Sequence, residues 1–374
     1  MITKFLAGLL ALAAVGGFAV ISFHRDGNAS GEGPVPASTV DRPGGDPAAN
    51  RCPPPRVEAA IPYWDQPRAV ASFRSHAGAI DSITLFWYFL RSGGQVERYS
   101  YAEIDRGLLR YAREHNVSTY VLIANLPGAP EPEGEWDWRR VQRAIGTPES
   151  RHRHVSEIVA LVEDLGVDGV NIDYEELQGH QTDEFTAFIE LLAAELHGRG
   201  KRLAISVFVQ EPGDDDNHGQ DLLALGKAAD ELVVMAYDEH YDESRPGPVA
   251  SIGWVAEGLR STAELRVPFD RVTLGVPLYG YLWPERGGRA RGLVHDEVVA
   301  LLRQDGADAS FDEEADSPHA RVDAGTVWFE NARSAEAKIR LARDAGVRRL
   351  YLWRLGGEDP AVWDVLARLD GECR

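Results

Sequence analysis

Along this chain, short runs of β-branched and aromatic residues alternate with longer stretches whose apolar residues recur at helical spacing. Eight runs read as strands. VEAAIPYW (57–64), SITLFWYFL (82–90), STYVLIAN (118–125) and GVDGVNIDY (166–174) form the first half. KRLAISVFVQ (201–210), ELVVMAYD (231–238), RVTLGVPLYG (271–280) and RRLYLWRLG (348–356) form the second. Helical spacing fills the gaps in YAEIDRGLLRYAREHN, ESRHRHVSEIVALVEDLG, TDEFTAFIELLAAELHG, IGWVAEGLRSTAEL and SAEAKIRLARDAG. Thr182 reads as a helix start with Asp183 and Glu184 in the first turn, while Gly200 and Gly346 fall at expected helix stops.

Eight strands alternating with helices predict an α/β fold of the (β/α)8 TIM-barrel type, in a chain longer than the ~250 residues usual for it. The excess falls between the seventh and eighth strands, about 284–326, where HDEVVALLRQ reads as a helix and HARVD and TVWFE as strands. A small α+β insertion is therefore expected there. A doubly wound open sheet would carry a Gly-rich phosphate loop after its first strand, and YWDQPRAV is not one.

The first 23 residues place Lys4 ahead of an unbroken apolar run from Phe5 to Phe23, which is export-signal chemistry. The run fits either a cleaved signal peptide or a single retained membrane anchor, and in both cases the protein works outside the cytoplasm. Residues 24–51 are rich in Gly, Pro, Ala and Asp and read as a flexible linker. The folded domain then occupies 52–374. Its two cysteines, Cys52 and Cys373, stand at opposite ends, and a closed barrel brings first and last elements together. In an oxidising compartment this favours a Cys52–Cys373 disulfide over two free thiols.

With 374 residues and 44% hydrophobic content the chain can build a substantial core. Its formal charge of −20 argues against nucleic acid or an anionic membrane surface as the main partner. A neutral or cationic ligand fits better, although a solvated acidic surface also serves solubility.

Within the fourth strand, DGVNIDYEEL (168–177) carries Asp168, Asp173 and Glu175. Strand side chains alternate, so Asn171, Asp173 and Glu175 share one face while Val170, Ile172 and Tyr174 take the other. The polar set would line the barrel interior at the C-terminal strand end, where this fold keeps its chemistry. Asp168 has the opposite parity. A buried polar network is the bland alternative, and the spacing lacks the ligand ladder of a calcium loop.

That stretch resembles the D-G-x-D-x-D-x-E motif of glycoside hydrolase family 18, the chitinase-like (β/α)8 hydrolases. MAYD (235–238), GVPLYG (275–280) and YLWRLGGEDPAVW (351–363) resemble the family's sixth-, seventh- and eighth-strand motifs in the same order. MAYDEHYDESRPGPVAS and VWFENARS look closest to bacterial cell-envelope members that act on peptidoglycan. One position departs: the motif's second acid is Asn171 here.

The resemblance implies an exported, retaining glycosidase for polysaccharides containing β-linked N-acetylhexosamine, such as peptidoglycan or chitin, working without a cofactor. Glu175 would be the general acid. Asp173 would orient the substrate's own acetamido group, which attacks the anomeric carbon in this family. Tyr237 and Asp238 would hold that group from the other side, with Trp353 as an apolar floor and Asn171 and Tyr279 as further substrate contacts. Like charge from Asp173 would help keep Glu175 protonated. A non-catalytic, chitolectin-like binder is the alternative, usually marked by loss of the Glu that Glu175 retains.

Tyr279 reads equally as site or core. Trp136, Trp138 and Trp283 read equally as cleft extensions or as packing under loops. His240 reads as a structural hydrogen-bond partner. RHRH (151–154) lies in a helical pattern without a spaced carboxylate, so no metal site emerges, and G-x-S-x-G is absent.

Overall fold

A computed structural model describes residues 55–128, 134–210 and 219–369. The signal or anchor segment, the linker, Cys52 and Cys373 all lie outside the described residues.

The domain opens with β1 (Arg56–Pro62), α1 (Gln66–His76), β2 (Ser82–Leu90), a short β3 (Val96–Arg98), α2 (Arg106–Glu114) and β4 (Ser118–Ala124). It continues with α3 (Trp138–Ile145), α4 (Pro148–Leu165), β5 (Gly169–Asp173), α5 (Thr182–His197), β6 (Arg202–Phe208), α6 (Leu222–Ala228), β7 (Glu231–Met235), α7 (Ile252–Glu264) and β8 (Val272–Pro277). An insertion follows: β9 (Tyr279–Pro284), β10 (Arg291–Val294), α8 (His295–Asp305), β11 (Ser310–Asp312), β12 (Ser317–Val322) and β13 (Gly325–Phe329). Last come α9 (Ala332–Ala345), β14 (Arg349–Trp353) and α10 (Val362–Leu369).

Strands β1, β2, β4, β5, β6, β7, β8 and β14 pair in parallel in that order, and β14 closes on β1. The (β/α)8 barrel with an α+β insertion between its seventh and eighth strands is therefore the fold the sequence pattern predicts. Outward positions such as Ile83, Leu85, Val170, Ile172 and Tyr174 are fully buried under the helices. Inward positions are mixed, with Glu58, Thr84, Asn171, Ser206, Glu231 and Thr273 all buried inside the cylinder. The floor is polar but paired: Glu231 accepts from Arg349 Nη1 at 3.0 Å and from Thr273 Oγ1 at 2.6 Å.

Asp168 has a structural task that its parity foreshadows. Its Oδ2 accepts the Thr119 N–H at 2.8 Å, tying the entrance of β5 to β4. Asp81 does the same for Val57 at 2.8 Å, and Asp230 for Leu203 at 2.9 Å. Each of these acids precedes a strand and satisfies an N–H of the barrel strand before it. A backbone donor left without a partner there would be costly.

The stretch 271–280, read as one strand, divides at Leu278, whose N–H turns to the Trp353 carbonyl at 2.7 Å. β8 stays in the barrel, and β9 starts the insertion sheet, ordered β10-β9-β13-β12-β11. One face of this sheet buries Leu282, Leu293, Val322, Val327 and Phe329 around Val298 of α8. Its root is pinned by Glu330, whose N–H donates to the Tyr279 carbonyl at 3.0 Å, and by the fully buried Lys338 Nζ to Glu330 Oε2 pair at 2.8 Å.

Some local signals shift. Thr182 is the first helical residue rather than the cap, because a 3-10 turn over Gly179–Gln181 leads into α5. That helix stops at Gly198, before Gly200. Gly346 does end α9, with φ 91°. Periodicity overlooked α1, α3, α6 and α10, which are short or carry sparse apolar residues. Within RHRH, His154 is buried in α4 and its Nε2 lies 2.8 Å from the Tyr174 hydroxyl.

Candidate active site

At the C-terminal end of the barrel, β5 delivers its acids in the alternation read from the sequence. Asn171 and Asp173 are buried inside the cylinder, while Glu175, just past the strand end, is half-buried at the mouth. Across the mouth, the residues after β7 bring Tyr237 and Asp238. Tyr237 stands half-buried with its ring parallel to that of Trp353, centroids 6.2 Å apart and planes within 10°. Tyr279 meets Tyr237 edge-on at 6.4 Å. The structure thus brings Asn171, Asp173, Glu175, Tyr237, Asp238, Tyr279 and Trp353 to one opening.

Two backbone features permit this crowding. Gly275 of β8 lies beneath the Tyr237 ring, and a Cβ there would come within 2.7 Å of Tyr237 Cε1. Any side chain at 275 would push the ring out of the mouth. Glu176 and Asp238 adopt left-handed conformations, φ 58° and 62°, which turn the chain sharply as it leaves β5 and β7.

Electrostatics separate the three acids. Burial pushes Asp173 up to about 7, against a hydrogen bond from Ser206. Glu175 is raised well above the usual carboxylate range, first by loss of water and then by the charges of Asp173, Asp238 and Glu176. Asp238 reaches about 6, raised first by loss of water around it and held down by the hydroxyls of Tyr279 and Tyr281, with the charge of Asp242 adding to the rise. The protonated form of Glu175 is thereby favoured relative to a free carboxyl, with Asp173 the second raised acid beside it. Burial also raises the Tyr237 and Tyr279 hydroxyls well above their usual value, so both remain donors.

Sequence reasoning missed Tyr281. Its hydroxyl donates to Asp238 Oδ1 at 3.0 Å, and the Tyr279 hydroxyl donates to the same oxygen, so β9 grips an acid of the barrel mouth. The i, i+2 spacing in YGYLWP was a visible signal that both tyrosines share a face. Asn125 and Trp64 were also missed. Asn125 is fully buried against the backbone of Glu175. Trp64 is 47% exposed beside Trp353, ring centroids 6.2 Å apart.

Trp283 does not extend the opening: it is buried, with Nε1 donating to the Ser244 carbonyl at 3.0 Å. Trp136 packs against the barrel core. Trp138 lies edge-on to His180 at 5.6 Å, under the Arg139 guanidinium. His240 Nδ1 sits 3.0 Å from the Pro248 carbonyl, the structural bond expected of it.

A half-buried carboxyl with a raised pKa, a buried acid beside it and a facing aromatic wall can donate a proton, stabilise a positive charge developing on a bound ligand and pack against the C–H face of a saturated ring. Comparison with known proteins points the same way. The glycosyl hydrolases family 18 profile matches residues 133–358. The uncharacterized glycosylase YvbX of Bacillus subtilis (strain 168) is 25% identical over 269 residues, covering 70% of this chain and 77% of that protein. The cortical fragment-lytic enzyme of the same organism is 26% identical over 229 residues, covering 58% of this chain and 53% of its own length. The chain thus spans about half of that second relative. The crystal structure of a chitinase from Chromobacterium violaceum ATCC 12472 superposes with a TM-score of 0.75 at 28% identity, over 85% of this chain and 100% of the chitinase chain. Since the family match takes in every strand end from β5 to β14 that builds the mouth, the chain belongs to the glycosyl hydrolases of family 18 and is a glycoside hydrolase.

Proposed function

We propose that this protein is an extracytoplasmic, retaining glycosidase that cleaves β-linked N-acetylhexosamine polymers, with Glu175 as general acid and base. The observation that carries the reading is the pairing of Glu175, half-buried and with its pKa raised, with buried Asp173 on one strand face. In the first step Glu175 gives its proton to the glycosidic oxygen while the C1–O bond breaks. The substrate's acetamido oxygen closes on C1 from the other face and forms an oxazolinium ion. Asp173 accepts the amide N–H and balances the positive charge. In the second step the Glu175 carboxylate takes a proton from water as the water opens the ring at C1, so the configuration is retained.

Tyr237 supplies a hydroxyl donor to the acetamido carbonyl, Asp238 accepts a hydrogen bond from the sugar, and Trp353 lies beneath it. Tyr279 and Asn171 support this constellation. The names of the relatives, a chitinase and a cortical fragment-lytic enzyme, support a glycan substrate bearing N-acetyl groups. Envelope peptidoglycan is placed slightly ahead of chitin. The apolar run Phe5–Phe23 after Lys4 supports export.

The test incubates purified protein with chitin oligosaccharides, peptidoglycan and poly-N-acetylglucosamine and reads the products by mass. Glu175→Gln is expected to lose at least ~100-fold of activity with saccharide binding kept. Equal turnover by both proteins, or cleavage of none of the three polymers, defeats the reading.

A further inference from the structure

The hydrogen-bonded ladder between β4 and β5 ends at the pair Ala124 and Asp173. Glu175 lies two residues beyond, past the last pairings of β5 with a strand among the described residues. One side chain holds its peptide groups there. Asn125, the residue after β4, accepts the Glu175 N–H on Oδ1 at 2.8 Å and donates from Nδ2 to the Glu175 carbonyl at 2.8 Å. The side-chain amide thus supplies one acceptor and one donor to the Glu175 backbone just past the end of the ladder.

Asn125 is itself fixed. It is completely buried, and the carbonyl of the next residue, Leu126, accepts the hydroxyl of fully buried Tyr99 at 2.6 Å. Directly after Glu175 the chain turns away at Glu176, φ 58°. The backbone of Glu175 is therefore gripped on both of its polar groups at the last point before the loop, and only its side-chain torsions stay free.

We propose that Asn125 is a positioning residue that sets where the Glu175 carboxyl meets the scissile oxygen, acting through the Glu175 backbone without touching substrate. The proposal rests on the reading of Glu175 as the general acid. Its physical basis is the steep dependence of proton transfer on placement, where a shift of about 1 Å costs about 100-fold. Asn125→Ala removes both bonds and lets Glu175 drift with the loop.

The experiment measures kcat and KM on chitin pentasaccharide for wild type, Asn125→Ala, Glu175→Gln and the double variant, with melting temperatures alongside. Asn125→Ala is expected to lower kcat by about 10- to 100-fold with KM within about 3-fold. In the Glu175→Gln background the same change should move the residual rate by less than about 3-fold, because it acts only through the removed acid. A folded Asn125→Ala with wild-type kcat overturns the proposal, as does a loss that multiplies fully in the Glu175→Gln background.

Should Asn125→Ala fail to fold, Asn125→Asp decides. A neutral aspartic acid restores both an O–H donor and an acceptor, whereas the carboxylate repels the Glu175 carbonyl. Its kcat relative to wild type should rise at least about 5-fold from pH 8 to pH 5, and a flat ratio overturns the proposal. Undiminished activity of Glu175→Gln, or no cleavage by the wild-type chain, sinks the general-acid reading and this inference together. Loss in Glu175→Gln without loss in the folded Asn125 variant sinks this inference alone.

Discussion

Tyr281→Phe isolates one hydrogen bond between the insertion and the barrel mouth. In the wild-type protein Asp238 Oδ1 accepts from both Tyr279 and Tyr281, and its pKa stands at about 6. Phenylalanine keeps the ring of residue 281, which meets Tyr279 edge-on at 5.6 Å, and deletes only the donor. A hydrogen bond to a charged acceptor is worth ~1.5–3 kcal/mol. Asp238 is open to the cleft, so screening by water reduces this to about 1 kcal/mol.

At about 1.4 kcal/mol per pKa unit, the loss raises the Asp238 pKa by about 0.7 unit. The sign follows from the donor favouring the anion: without it the neutral form persists to higher pH. At pH 6.5 the ionised fraction falls from about three-quarters to about two-fifths. The assay is a carboxyl 13C titration of the two proteins, with the Asp238 resonance assigned by its absence in Asp238→Asn. The pH profile of kcat/KM on a chitin oligosaccharide accompanies it, and its acid limb should move up by less than this, because Asp173 at about 7 also titrates there. An Asp238 pKa that stays put or falls in Tyr281→Phe would refute the reasoning.

Two further outcomes are expected. Asn171→Asp adds a carboxylate on the inner face beside Asp173, and its own charge acts directly on Glu175, so the basic limb of kcat should move to higher pH by about half a unit; an unchanged profile would show that the departure at 171 carries no electrostatic weight. Lys338→Met strips the partner from a fully buried carboxylate, Glu330, at a cost of about 3–5 kcal/mol, or about 6–10 °C in melting temperature. Burial already holds the Glu330 pKa above its ordinary 4.5 despite Lys338, and loss of Lys338 raises it further. The deficit should therefore be small below pH 4.5, where Glu330 is protonated folded or unfolded, and grow as pH rises through the folded-state pKa. A deficit largest in acid, read by calorimetry across pH, would contradict this.

Much of the molecule was legible in advance because its signals are local. A strand's alternation needs only a handful of consecutive residues, so GVNID announced that Asn171 and Asp173 share an inner face, and the periodic stretches announced most of the helices. Barrel order followed from the count and alternation of these elements. The grip on Asp238 was not legible. It joins Asp238 to Tyr281 across 43 residues, and it exists because Leu278 sends β9 out of the barrel wall directly over the mouth.

Asn125 shows the same division from another side. As the last letter of STYVLIAN it looked like an ordinary polar end to a strand. Only the place where the β4–β5 ladder stops decides that its amide completes the backbone of Glu175. Asp168, by contrast, was visible as the acid of wrong parity, yet its partner Thr119 is 49 residues away. The amino-acid order by itself determined which side chains face inward and which strand carries the acids, since these follow from backbone periodicity. Tertiary structure alone decided which of those groups are clamped, which share a proton environment and which aromatic rings stand open, because these depend on distances between elements far apart in the chain.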